Sequence, residues 1–180
     1  MTNQTTPSVE QVLLEVWQQH TYSEFVLKDA QAALQTMSEN PHVLMVPLAI
    51  GGSGRDGVYN YYHDYFLAQL PADIMPVPIS QVVGKDILVE EAVYQFTHDQ
   101  RMDWMIPGVP PTGKRVEVGV VGIITFENDK IASEHLYWDH ASVLAQLGVI
   151  DPAKVPVKGV DSARTLLEWA GIANTKSDSQ

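Results

Sequence analysis

The spacing of apolar residues changes close to Pro76, and that change limits the folds open to this chain. Before Pro76 most apolar residues recur every three or four positions, as on one face of a helix. After it they fill extended runs such as DILVEEAVYQF and KRVEVGVVGIITFE. Helices followed by a meander of strands predict an α+β fold, with the helices packed on a curved antiparallel sheet.

The N-terminal third is predicted to form helices. The first begins after Ser8, which has the capping-box pattern, and carries Trp17 and His20 on one face. A second helix follows Asp29, and a third, rich in aromatic residues, covers about 56–69.

Two strands are predicted to form a hairpin around Asn128-Asp129. Pairing Glu127 with Lys130 across this turn places Gly122 opposite His135. Both faces of the hairpin are then apolar, so we expect one to face the helices and the other a second subunit. Trp138 is expected on the subunit face of a homodimer.

Length and composition restrict the class of protein. The 180 residues suit one domain, which we expect to comprise a core of about 8–150 and a C-terminal extension of 151–180. The 11 basic and 22 acidic residues give a net charge of -11, which disfavours nucleic acids and anionic membranes as partners. The N-terminus has no basic and apolar leader, so we predict a cytoplasmic protein.

Two motifs bear on cofactors and metals. The segment from Gly52 to Gly57 reads G-x-G-x-x-G, but the order of predicted elements is not that of a dinucleotide-binding β-α-β unit. We interpret it as a tight strand-to-helix turn with Asp56 as a cap, and we predict that the chain binds no dinucleotide cofactor. The chain has no cysteine and no HExxH pattern, so we predict no metal site either.

The strand SEHLYWD carries the densest group of chemically active side chains. On alternating positions Ser133, His135, Tyr137 and Asp139 share one face, where they can form an acid/base site or a satisfied polar network. His98 and Asp99 at the end of the preceding strand offer a second pair. They point to opposite faces unless a bulge intervenes, so only one of them suits a pocket.

The segment from Thr112 to Gly148 resembles the C-terminal half of SnoaL-like polyketide cyclases, within the nuclear-transport-factor-2-like superfamily of α+β cones. The resemblance rests on Gly113-Lys114, the Asn128-Asp129 turn, Trp138-Asp139 and Gln146-Leu147-Gly148. It implies that Asp139 is the acid/base of an intramolecular aldol closure, with His135 or His98 as the site histidine and no cofactor.

We therefore predict a pocket for a small hydrophobic organic molecule, such as a cyclic or aromatic carbonyl compound. The residues expected around this ligand are Tyr137, Trp17, His20, Tyr62, Trp104 and Asp99. Two alternatives remain open. One is a ligand-binding or interaction domain without catalysis, and the other is an epoxide-hydrolase-like enzyme using Asp99, Arg101 and Asp139.

Overall fold

The computed structural model describes residues 7–172. Within them the α-helices are α1 (Val9–Tyr22), α2 (Ala30–Gln35), α3 (Gly54–Asn60), α4 (His140–Leu147) and α5 (Val160–Trp169). Two π-helical segments, Ser23–Leu27 and Tyr61–Phe66, continue α1 and α3, and 3-10 turns cover Val46–Leu48 and Leu67–Gln69. The capping box at Ser8 is present as predicted, and the Asp29 side chain caps α2.

Six strands form one sheet in the order β2-β1-β6-β5-β4-β3. They are β1 (Met37–Met45), β2 (Ile50–Ser53), β3 (Met75–Val83), β4 (Ile87–Thr97), β5 (Arg115–Glu127) and β6 (Lys130–Trp138). The predicted α+β class is confirmed. The sheet is mixed rather than wholly antiparallel, because β1 runs parallel to β6.

The predicted hairpin joins β5 to β6. Asn128 and Asp129 have φ values of 50° and 58°, the positive φ at both central positions that a type I′ turn requires. Glu127 lies opposite Lys130, as predicted. The turn therefore twists the two strands in the sense that a sheet needs.

Beyond this turn the predicted register is wrong by one residue. Ala132 is the extra residue of a β-bulge, so His135 lies opposite Ile123, and Gly122 lies opposite Leu136. Because side chains alternate across a strand, a shift of one residue changes which residues of β6 accompany the buried residues of β5. Glu134, Leu136 and Trp138 line the inside of the fold together with Val120.

Helices cover the two faces of the sheet unequally. The inner face packs against α1, α3 and the π-helical segments, and the main core lies between them. On the outer face α5 covers one end, where Ala163 and Leu167 pack on Val93. Trp138 faces the inner cavity rather than a second subunit, which corrects the prediction. No helix within residues 7–172 is long and apolar enough to cross a membrane.

The glycine-rich segment is a packing feature. A side chain at Gly51 would place its Cβ 1.9 Å from the Val43 carbonyl oxygen, and one at Gly52 would lie 2.3 Å from the Gly57 carbonyl oxygen. These glycines let β2 lie against β1 and α3. Asp56 lies in the first turn of α3 and does not cap it.

Candidate functional site

An inner cavity of about 30 Å³ lies between the helices and the inner face of the sheet. That volume holds roughly one water molecule. Its walls are aromatic and aliphatic except for two carboxylates: Trp17, Glu24, Phe25, Val43, Met45, Tyr62, Phe66, Tyr94, Trp104, Val120, Glu134, Leu136 and Trp138. Charged groups in such surroundings need partners close by.

Those partners form a buried cluster of four side chains. His20 Nε2 lies 2.8 Å from Glu134 Oε1 and 3.3 Å from Glu24 Oε1. The Tyr62 hydroxyl donates to Glu134 Oε1 at 2.9 Å and lies 3.1 Å from His20 Nε2. All four residues are at most 4% exposed. Two carboxylates therefore meet one imidazole and one phenol at the wall of an apolar cavity.

The other ring nitrogen of His20 determines the tautomer. The Thr36 hydroxyl donates to the Ala33 carbonyl oxygen at 2.7 Å, so its oxygen is left to accept from His20 Nδ1 at 2.6 Å. Nδ1 therefore carries a proton. Nε2 is left to face Glu134 and Glu24, where it binds a second proton and forms an imidazolium.

Electrostatics favour that second proton. Burial lowers the pKa of His20, but the charges and hydrogen bonds of Glu134 and Glu24 outweigh it and raise this pKa to about 10. Burial, together with the charge of Glu134, raises the pKa of Glu24, although His20 opposes the shift. Burial and the same two carboxylates raise the pKa of Tyr62 well above its ordinary value. These shifts favour the imidazolium form of His20 and the neutral hydroxyl of Tyr62.

The donor atoms of His20, Glu24 and Glu134 all lie within 4.8 Å of one another. Imidazole and carboxylate are ligand types that bind divalent metals. The distances within the cluster are also those of hydrogen bonds. Protons between these groups can therefore hold the carboxyl groups together without a metal ion.

Local structure explains how the cluster is assembled. His20 and Glu24 are four residues apart where α1 passes into the first π-helical segment, so they share one side of the helix. Tyr62 lies in the second π-helical segment, and such segments are frequent at functional sites. Glu134 is the charged residue on the otherwise apolar inner face of β6.

Neither Glu24 nor Glu134 is among the site residues predicted from the sequence. The spacing of His20 and Glu24 was a usable signal, since positions four apart meet on a helix. For Glu134 the signal was an acidic residue alternating with Leu136 and Trp138 on an apolar strand face.

Of the residues expected around a ligand, Trp17, Tyr62 and Trp104 line the inner cavity. His20 lies directly behind it, with its ring stacked on Trp17 at a centroid distance of 5.7 Å. Tyr137 is 40% exposed on the outer face.

Asp139 and His135 lie away from the cavity, contrary to expectation. Asp139 is the exposed N-cap of α4, where it accepts from the backbone and hydroxyl of Ser142 at 3.0 and 2.6 Å. His135 is on the outer face with its Nε2 3.1 Å from that of His42. His135 points to the outer face because of the bulge at Ala132. Asp139 caps α4 because β6 ends one residue before it.

His98 and Asp99 follow the end of β4. His98 is buried beside the loop before β5, where Thr112 contacts its Nδ1 at 3.1 Å, and burial lowers its pKa despite the charge of Asp99. Asp99 is exposed. Neither residue lines the inner cavity, and so they do not meet Glu24 or Glu134 there.

Solved structures share this fold. A SnoaL-like polyketide cyclase from Jannaschia sp. CCS1 is 16% identical with a TM-score of 0.66, covering 83% of this chain and 100% of its own. A ketosteroid-isomerase-like protein from Catenulispora acidiphila is 18% identical with a TM-score of 0.56, covering 80% and 95%. The epoxide hydrolase/cyclase-like enzyme SalBIII is 18% identical with a TM-score of 0.54, covering 72% and 92%.

These likenesses establish the fold, which is that of the nuclear-transport-factor-2-like and ketosteroid-isomerase-like α+β cones. A search of curated proteins found no match. A model of the SnoaL-like polyketide cyclase family matches residues 53–147, slightly more than half of the chain, including Tyr62 and Glu134 but not His20 or Glu24. The chain therefore belongs to the SnoaL-like polyketide cyclase family.

Proposed function

We propose that this protein is an acid/base enzyme that moves a proton on a small hydrophobic carbonyl compound, in a cyclisation or an isomerisation. The observation that carries the proposal is that two carboxyl groups in unlike surroundings, Glu24 and Glu134, reach the same apolar cavity, where His20 contacts both and Tyr62 donates to Glu134. Two carboxyl groups in unlike surroundings at one site are the usual arrangement of an acid and a base.

Glu134 is the base in this proposal. The imidazolium of His20 and the hydroxyl of Tyr62 both contact its Oε1, and these contacts orient the carboxylate. The carboxylate removes a proton from the carbon next to the substrate carbonyl. The electrons of the broken C–H bond form an enolate. The enolate then attacks a second carbonyl, whose oxygen takes the proton from Glu134, or it takes that proton back at another carbon.

Glu24 is the acid. Its raised pKa keeps a proton on the carboxyl group at pH values where an exposed glutamate has lost it. A carboxylic acid in an apolar cavity donates a strong hydrogen bond to an enolate oxygen as negative charge develops there. His20 contributes a fixed positive charge behind both carboxyl groups.

The test is deuterium exchange at the carbon next to the carbonyl of cyclohexanone in deuterium oxide, followed by NMR. Glu134→Gln removes the base and should slow the exchange by about 10² to 10⁴. Glu24→Gln keeps a hydrogen-bond donor, so we expect a loss of only about tenfold. The assay is run with and without a chelator to separate proton chemistry from metal chemistry.

Equal rates in Glu134→Gln and the wild type would refute the assignment of the base. Saturable binding with no exchange above that of buffer would instead favour the alternative of a binding domain without catalysis.

A second candidate function is epoxide opening. It is favoured by the position of His20 between two carboxylates, beside a cavity with room for roughly one water molecule. Glu134 would take a proton from that water while Glu24 protonates the epoxide oxygen. Incorporation of labelled oxygen from water into the diol formed from cyclohexene oxide would support this function, and its absence would leave the carbonyl reaction.

A further inference from the structure

A second cavity lies beside the inner one. This outer cleft, of about 380 Å³, is bounded by α1 and the first π-helical segment on one side and by β3 and β4 on the other. Its walls include Tyr22, Val26, Pro76 and Pro78, with Glu90 as its acidic group. The Glu90 carboxylate accepts hydrogen bonds from the Trp17 indole at 3.1 Å and from the Gln81 amide at 2.7 Å.

Phe25 and Tyr94 line both cavities. Their rings meet edge to face with centroids 5.9 Å apart, and Phe25 makes a second such contact with Phe66 at 6.2 Å. These two rings are therefore the partition between the inner cavity and the outer cleft.

The first π-helical segment connects the partition to the proposed acid. Glu24 contributes to the inner cavity, Phe25 to the partition and Val26 to the outer cleft. Tyr22 and Val26, which line the cleft, are 52% and 62% exposed, which leaves an apolar rim at its surface. An apolar rim of this kind suits a hydrophobic ligand rather than a charged one.

The sizes of these two neighbouring cavities indicate how a ligand that reaches the inner one would lie. Ligand sites usually have volumes of roughly 300–1,000 Å³. The inner cavity, at about 30 Å³, is far too small, whereas the outer cleft at about 380 Å³ is in that range. A substrate that reaches Glu134 must displace a ring of the partition and leave most of its bulk outside it.

We infer that Phe25 and Tyr94 form a gate, and that the substrate is elongated, with a reactive polar end in the inner cavity and an apolar tail in the outer cleft. This rests on the proposed function, since it places the reactive end against Glu24 and Glu134. It adds the class of substrate and the residues that select it.

The test measures binding rather than turnover, using phenol and 4-alkylphenols of increasing chain length as probes in calorimetry. The phenol group stands in for an enol. In the wild type, affinity should rise about fourfold for each added methylene that enters the cleft. Glu134→Gln should weaken all the probes, because their hydroxyl groups lie against that carboxylate.

Phe25→Trp fills the gate and should weaken binding of the longer alkylphenols at least tenfold. Tyr94→Leu, from the strand side, should widen it and preserve the chain-length dependence. The matched control is Leu27→Ala, in the same segment but lining neither cavity, which should bind as the wild type does.

Affinity independent of chain length, wild-type binding by a folded Phe25→Trp variant, or equal binding by Glu134→Gln would overturn this inference. Failure of the proposed function has a different signature: binding follows the chain length and the gate variants while deuterium exchange is absent. Circular dichroism confirms that each variant is folded before binding is measured.

Discussion

At the scale of a single residue, His20 supplies the positive charge of the buried cluster. Its Nδ1–H donates to the Thr36 hydroxyl oxygen, and its Nε2–H lies between Glu134 and Glu24. Loss of that proton would leave two carboxyl groups facing each other in an apolar cavity without a cation. The ionisation of His20 is therefore coupled to folding.

We predict that stability falls between pH 6.5 and 10. The folded-state pKa of His20 is raised from 6.5 to about 10, so its stabilising contribution is complete below 6.5 and is lost as the pH rises through 10. The raised pKa of Glu24 acts in the same direction. Urea unfolding at several pH values should show the free energy of unfolding falling by several kilocalories per mole.

His20→Gln should remove most of this slope, whereas His63→Gln, at an exposed histidine of the second π-helical segment, should retain it. If His20→Gln does not fold, NMR titration of the His20 ring in the wild type gives its pKa directly. An ordinary histidine value would contradict the ion-paired cluster.

At the scale of secondary-structure elements, Asp139 is the N-cap of α4. Its carboxylate accepts two hydrogen bonds from Ser142 at the start of α4. A carboxylate at this position satisfies an otherwise free backbone N–H and faces the positive end of the helix dipole. The Trp-Asp pattern that resembles the family motif therefore has a structural role in this chain.

Substitution of Asp139 tests whether this residue contributes to helix stability or to catalysis. Asp139→Ala should lower the free energy of unfolding by about 1 kcal/mol, and Asp139→Asn by less, because asparagine also caps helices well. We expect both variants to exchange deuterium into cyclohexanone at the wild-type rate. A large loss of exchange in Asp139→Asn at unchanged stability would return Asp139 to the mechanism.

At the scale of the whole molecule, the outer face of the sheet is only partly covered. Beyond α5 it presents Val121, Ile123 and Tyr137 beside the paired His42 and His135. The homodimer expected from the sequence would use this face, although without Trp138.

We predict a dimer of the 19.9 kDa chain at micromolar concentration in light scattering. A specific dimer would bury on the order of 800 Å² per subunit. Tyr137→Lys should dissociate it and leave binding of the alkylphenols unchanged, because Tyr137 lines neither cavity. Wild-type protein that scatters as a monomer would contradict the prediction.

Local sequence patterns were enough to predict the three N-terminal helices, the strand meander after Pro76, the caps at Ser8 and Asp29, and the turn at Asn128-Asp129. Each depends on residues a few positions apart, because capping, turn geometry and hydrophobic period are local properties. The resemblance to the family rested on such local patterns too.

Which side chains meet in the inner cavity depends on tertiary contacts. Glu24 and Glu134 are brought together by the packing of α1 on the inner face, and the bulge at Ala132 turns Glu134 inward with His135 outward. A single unpaired residue exchanges the two faces of a strand. The ionisable cluster therefore depends on long-range pairing that no local pattern in the chain specifies.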